Sequence, residues 1–166
     1  MDYTATAPNP ELLSPLQASL DGLGVAVGPQ WDPATGPAPA GLAGGADLVA
    51  CNLAWGTLPP GSGEQERAAE LVANLASGAK EGGFVLLHTL LKGETMGETV
   101  AFLSTPSQST GSQPGLLTQA DWEKVFSEAS LTLAAVKKSF YGSALFLCRR
   151  KVPSKQPIFM AVDGTD

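Results

Sequence analysis

Charge is scarce in this chain. Of 166 residues only 16% are charged, and 10 Lys+Arg stand against 16 Asp+Glu for a net charge of −6. So few cations cannot neutralise a phosphate backbone, and nucleic acid is excluded as an expected partner. Histidine occurs once and cysteine twice, too few for a Cys/His cluster and hence for a structural zinc or other metal site. Long apolar runs are also missing: stretches such as Phe84 to Leu91 fall far short of the ~20 residues that span a bilayer, so no membrane partner is expected. Met1 is followed by Asp2, not by basic residues and an apolar core, and no secretory leader is expected at this end.

What is present is the composition of a globular domain. The hydrophobic set makes up 43%, and the length suits one domain with a real core. Cys51 and Cys148 sit in apolar, strand-like runs, which reads as buried free thiols in a reducing compartment, not as a disulfide. The 19 Gly and 13 Pro concentrate between Gly28 and Gly45, at Pro59–Gly63 and at Ser104–Gly115, where they mark loops. Loops this long suggest surface insertions or contact regions for a partner.

Along the chain, strand and helix patterns alternate. Asp2 to Thr6 is β-prone, and Asn9-Pro10-Glu11 has the order of a helix start. Leu12, Leu13, Leu16, Leu20 and Leu23 keep to one helical face, with Gly22 and Gly24 as stops before a short Val25–Val27 strand. Asp47 to Leu53 and Phe84 to Leu90 read as strands covered on both faces. Between them, Ala68, Leu71, Val72 and Leu75 repeat at helical spacing over 64–77, with Gly78 as terminator and 80–83 as a turn. A helix is expected over 94–103, with Met96, Val100 and Leu103 on one face. Another is expected over 118–129, opened by a Thr118/Asp121 capping box and burying Trp122, Val125, Phe126 and Ala129. Leu131 to Phe140 and Ser143 to Arg149 close the chain as a hairpin around Tyr141-Gly142. This order predicts an α/β sandwich with a mostly parallel sheet and an antiparallel C-terminal edge.

In such folds ligands sit beyond the carboxyl ends of the strands, so chemistry is sought there. No glycine-rich turn leads from a strand into a helix: Gly22–Gly28 follows a helix and Gly82-Gly83 precedes a strand. His88 has no carboxylate nearby in sequence and reads as a histidine bonded to backbone at a strand end, with general base as the sharper alternative. Ser139 and Ser143 read as turn serines without a nucleophile-elbow context. Trp31 and Trp55 read as loop anchors or, alternatively, as stacking platforms. Lys137-Lys138 with Arg149-Arg150-Lys151 read as a solvated or internally paired edge, with a phosphate-bearing partner as the minority view.

Four strings in order, YTAT (3–6), QWDP (30–33), ADLVACNLAWGT (46–57) and EGGFVLLHTLLKG (81–93), resemble a class I methyltransferase domain that lacks its first strand. More narrowly, GGFVLLHTLLKG, KKSFYGSALFLCRR and PIFMAVD look like the pseudo-methyltransferase region of animal fatty acid synthase, a likeness running from Tyr3 to about Asp163. The resemblance implies a Rossmann-like three-layer sandwich over 1–151, with 152–166 as a linker to the next segment. It also implies a degenerate S-adenosylmethionine site at Ala7, Asp32, Asn52, Trp55 and His88. Ala7 stands where an acidic residue would accept the ribose hydroxyls, a loss of about 1.5–3 kcal/mol for each charge-assisted bond. Asp32 matches the acidic position near the adenine amino group. Trp55 and His88 fall where related C-methyltransferases carry a proton-abstracting His and Glu, and an indole accepts no proton.

The resemblance therefore implies a non-catalytic domain that binds no cofactor of its own. Its partners would be neighbouring domains of a cytoplasmic, homodimeric fatty acid synthase whose NADPH and phosphopantetheine chemistry lies elsewhere. The alternative is an active S-adenosylmethionine-dependent C-methyltransferase completed by upstream sequence. In the family's strand order the absent strand is central, so either the chain is a fragment completed from upstream or its remaining strands re-pair.

Overall fold

The computed structural model describes residues 2–7, 9–52, 63–94, 98–99, 116–139 and 141–153, and these form two separate sheets. The smaller pairs β1 (Tyr3–Ala5) and β2 (Val25–Val27) in parallel. The larger has the order β3-β4-β6-β5, from β3 (Ala46–Asn52), β4 (Ala79–Leu90), β5 (Leu131–Lys138) and β6 (Ser143–Arg150). β3 and β4 run parallel, while β6 is antiparallel to both its neighbours. The expected hairpin is therefore present, but parallel and antiparallel pairings are equal in number among the described residues, where a mostly parallel sheet was expected.

Helix α1 (Leu13–Leu20) connects β1 to β2. It follows a single 3₁₀ turn whose cap is Asn9, the carboxamide oxygen accepting from the Glu11 amide. Leu13, Leu16 and Leu20 are half-buried, but Leu12 and Leu23 are exposed, so the five-leucine face expected from spacing is only partly used. Helix α2 (Glu64–Gly78) joins β3 to β4 and buries Ala68, Leu71, Val72 and Leu75 as the spacing requires. Helix α3 (Gln119–Glu128) opens on the complete Thr118/Asp121 capping box and buries Trp122, Val125 and Phe126, with Ala129 just beyond it half-buried. No helix among the described residues is long and apolar enough to cross a membrane. The helix expected over 94–103 lies almost wholly outside the described residues.

The core is one-sided. α2 and α3 cover one face of the larger sheet, where Val49, Val85, Leu87 and Cys148 join a cluster of Trp122, Phe126 and Phe146 with ring centroids 5.2 to 6.5 Å apart. Each such side chain contributes about 1.5–3 kcal/mol on burial. The other face holds Leu48, half exposed at 50%, together with Phe84, Leu86, Leu145 and Leu147, none of them buried. This corrects the expectation that β3 and β4 are covered on both faces: the continuous apolar run reports two apolar surfaces, of which only one carries fully buried apolar side chains among the described residues of these strands.

Two glycine assignments also change. Gly78 is the last helical residue of α2, not a left-handed cap, and its role is close approach: a Cβ there would lie 3.1 Å from Trp31 Cη2 and 3.2 Å from Val49 Cγ2. The expected turn over 80–83 is part of β4. Gly82 takes φ 73°, and Gly83 passes so close to the carbonyls of Ala46, Asp47 and Lys80 that a Cβ would sit 3.0–3.1 Å from all three. These glycines carry the strand past the register shift between Ala46 and Leu48 without a turn.

Candidate functional site

The candidate residues gather where β1, β3 and β4 end. Ala7, two residues past β1, is 6% exposed, and its carbonyl accepts from the Trp31 amide at 3.2 Å. That bond brings the start of the 28–45 loop back onto the end of β1. Asp32 follows, half-buried, with Oδ1 accepting from the Ala34 amide at 2.9 Å and its carbonyl accepting from Thr35. Its carboxylate thus closes its own turn. The rest of the loop is tied to α2: Asn74 Nδ2 donates to the Pro33 carbonyl, the Ala38 amide to Ser77 Oγ, and the Gly44 amide to the Ser77 carbonyl. Trp31 is an anchor, its indole N–H donating to the Gly36 carbonyl while the ring packs beside Gly78 and Val49. Trp55 and the 104–115 loop lie outside the described residues.

Asn52 and His88 are register partners at the ends of β3 and β4. His88 is half-buried and bonds to side chains, not to backbone as expected: Nδ1 meets Asn52 Oδ1 at 3.2 Å and Nε2 meets Ser143 Oγ at 2.9 Å. Ser143 Oγ is in turn 2.7 Å from Ser139 Oγ, which accepts from the Tyr141 amide. With the ring proton on Nδ1 the imidazole donates to Asn52 Oδ1 and Nε2 accepts from Ser143, so the tautomer sets the direction of the bonds; between Ser143 and Ser139 either hydroxyl can donate. The sequence reading missed this network because Ser143 lies 55 residues from His88; the β4–β6 register, which sets Leu90 opposite Ser143, brings them together.

Burial pushes the Cys51 thiol up to about 11, with the nearby Asp32 charge adding to it, and burial alone pushes Cys148 up to about 12. Both cysteines are free, with Cys148 buried and Cys51 only half-buried, so the expected pair of buried thiols holds for one of them. In the basic group, Lys138 pairs with Glu94, Arg149 donates to the Gly82 carbonyl, and Arg150 donates to the carbonyls of Ala76 and Ala79 at the end of α2. An open cleft of about 380 Å³ lies between the starts of α2 and α3, with Glu64, Glu66, Lys92 and Asp121 on its walls. Asp121 there is engaged by Thr118. Among the described residues no three His, Cys, Asp or Glu side chains come together as metal ligands.

Ala7 presents a methyl group at the end of β1, Asp32 spends an oxygen on its own turn, and both His88 nitrogens are engaged.

No known protein family profile matches the chain. Solved structures do match its fold. An O-methyltransferase family 2 protein from Planctomyces limnophilus, solved with apigenin, superposes with a TM-score of 0.63 at 17% identity, covering 91% of this chain and 43% of its own. The CurJ carbon methyltransferase gives 0.65 at 14% identity, over 91% of this chain and 42% of its own. Human N-acetylserotonin methyltransferase, solved with S-adenosylmethionine, gives 0.63 at 14%, over 91% and 41%. This chain spans less than half the length of each. At these identities the likeness establishes the fold, a Rossmann-like methyltransferase α/β fold with a mixed sheet.

Proposed function

We propose that this chain is a methyltransferase-fold domain that transfers no methyl group itself and acts as a structural and interaction element of a multifunctional fatty acid synthase. The observation that carries the reading is the end of β1, where the buried methyl of Ala7 stands in place of an acceptor for ribose hydroxyls. The engaged His88 agrees with it, since a base whose two nitrogens hold a hairpin and a strand end must break a bond before it can take a substrate proton. The link to fatty acid synthase rests on the strings GGFVLLHTLLKG and KKSFYGSALFLCRR. In that setting the domain packs beside neighbouring modules of a cytoplasmic homodimer, and NADPH and phosphopantetheine chemistry belongs to other parts of the polypeptide.

A second reading is favoured by the fold neighbours, among them a carbon methyltransferase and an enzyme solved with S-adenosylmethionine. On that reading the chain is one part of an S-adenosylmethionine-dependent C-methyltransferase completed by further polypeptide. Calorimetric titration of S-adenosylmethionine into the polypeptide with its natural flanking residues separates the two. The structural reading predicts no saturable heat. Micromolar binding, with methyl transfer to a carrier-bound β-ketoacyl group, would establish the second.

A further inference from the structure

The turn between β5 and β6 carries two hydroxyls of unlike exposure. Ser143, the first residue of β6, is 7% exposed, whereas Ser139, just past β5, lies exposed on the turn. Backbone bonds fix the pair: the Ser139 amide donates to the Ser143 carbonyl at 2.8 Å, and the Gly142 amide to the Ser139 carbonyl at 3.3 Å. Gly142 takes φ 72°, which lets the chain reverse within these few residues. The reversal turns the amides of Tyr141 and Ser143 onto Ser139 Oγ, at 3.2 and 3.4 Å. A further contact of 2.7 Å joins Ser139 Oγ to Ser143 Oγ, which lies 2.9 Å from His88 Nε2. Asn52 Oδ1 holds the far side of the ring at Nδ1. A nucleophile, a relay, a base and a group that orients the base therefore stand in series at the end of the larger sheet where β3 and β4 finish.

We propose that Ser139 is a nucleophilic serine that accepts acyl groups from activated esters or thioesters, with His88 as its base acting through Ser143. An alkoxide forming at Ser139 Oγ meets two N–H dipoles already aimed at it, so its charge is stabilised without reorganisation. In the arrangement where Ser143 donates to Nε2, its single proton is spent there and Ser139 donates to Ser143. Attack then moves each proton one place. Ser139 Oγ bonds to the acyl carbon, its proton passes to Ser143 Oγ, and the Ser143 proton passes to Nε2. The carbon–oxygen or carbon–sulfur bond to the leaving group breaks, and a proton returns from His88 through Ser143 to the departing atom. Water attacking the acyl-serine by the same relay releases the acid and restores Ser139. No contact of His88 has to break in this sequence, unlike direct removal of a substrate proton. Asn52 is neutral, so it orients the ring but lends no charge to an imidazolium, which limits the reaction to substrates with good leaving groups. The relay uses no methyl donor and stands or falls independently of S-adenosylmethionine binding.

The test exposes the polypeptide with its natural flanking residues to a fluorophosphonate probe and reads the tryptic fragment 139–149 by mass spectrometry. Ser139 should be labelled ~100-fold or more faster in the native chain than in urea, the scale of general-base assistance. p-Nitrophenyl acetate should leave an acetyl group on the same oxygen. Ser139→Ala should abolish labelling of the fragment. Ser143→Ala should slow it by a similar factor to urea, and Ser143→Thr, which keeps the hydroxyl, should restore most of the rate. His88→Ala should slow it as well, and added imidazole should recover part of the loss, which a merely structural histidine would not allow. Because Ser139 is exposed, Ser139→Ala and the comparison with urea decide the question even where the other variants do not fold. Native labelling no faster than in urea would overturn the proposal. So would labelling of the fragment that survives Ser139→Ala, which would make Ser143 the nucleophile, or losses in His88→Ala and Ser143→Ala that neither imidazole nor threonine repairs.

Discussion

Replacing His88 by alanine removes the middle of a four-residue hydrogen-bond chain that joins the β5–β6 turn to the end of β3. Two contacts vanish, to Asn52 at 3.2 Å and to Ser143 at 2.9 Å. Asn52 is exposed, so water replaces the first. Ser143 is only 7% exposed and loses its bond to the imidazole, but its hydroxyl can turn to Ser139 Oγ at 2.7 Å, so it is not left unpaired. A net hydrogen bond contributes about 0.5–1.5 kcal/mol, which places His88→Ala near ~1 kcal/mol. For a chain of this size that is roughly 2–4 °C in Tm. Ser143→Ala removes the same bond from the other side. The double variant should therefore be less destabilised than the sum, by about 1 kcal/mol. Urea unfolding followed through tryptophan fluorescence measures all three variants. Additivity within about 0.3 kcal/mol would refute the shared bond, and with it the reading of His88 as a structural clamp.

Other consequences follow from single positions. Gly83→Ala should destabilise by about 1–3 kcal/mol, because the carbonyls of Ala46, Asp47 and Lys80 crowd the new Cβ and none is the end of a flexible side chain; an unchanged midpoint would contradict the register described for β3 and β4. Thr118→Ala should cost about 1 kcal/mol through loss of the α3 cap. Asp121 ties to the same cap: the Thr118 hydroxyl and amide hold its carboxyl below the usual value, so its contribution is complete above that usual value near pH 4 and fades as pH falls below it, and Asp121→Asn should flatten this acid limb in pH-dependent melts. Cys148, raised to about 12 by burial, should have a thiolate fraction on the order of 10⁻⁴ at pH 8 and resist Ellman's reagent until urea unfolds the chain; prompt native labelling would show that it is not buried.

Much of the fold was legible because its signals are local. Ala68, Leu71, Val72 and Leu75 at helical spacing, the Thr118/Asp121 box and the Tyr141-Gly142 hairpin turn each depend on residues a few positions apart, and each is present. What was not legible depends on partners far along the chain. The apolar run 47–53 cannot say that only one of its faces is covered, since that is decided by which helices pack on the sheet. Gly82-Gly83 carry the residues of a turn, yet the neighbouring backbone of Ala46 and Asp47 makes them a close-packed piece of strand. In the candidate site, the sequence offers Asn52 and His88 separately, and the strand register joins them. Ser143 near a turn carries no distinguishing pattern in sequence, and the β4–β6 pairing places its hydroxyl on the imidazole.

The central claim is that the strand ends of this methyltransferase fold lack the groups that grip a methyl donor. Amide NMR titration of the polypeptide with its natural flanking residues, read at Ala7, Asp32, Asn52 and His88, tests it most directly. The account predicts that S-adenosylmethionine at millimolar concentration leaves these four resonances unshifted. Saturable shifts at Asp32 and Ala7 with a micromolar midpoint would contradict it.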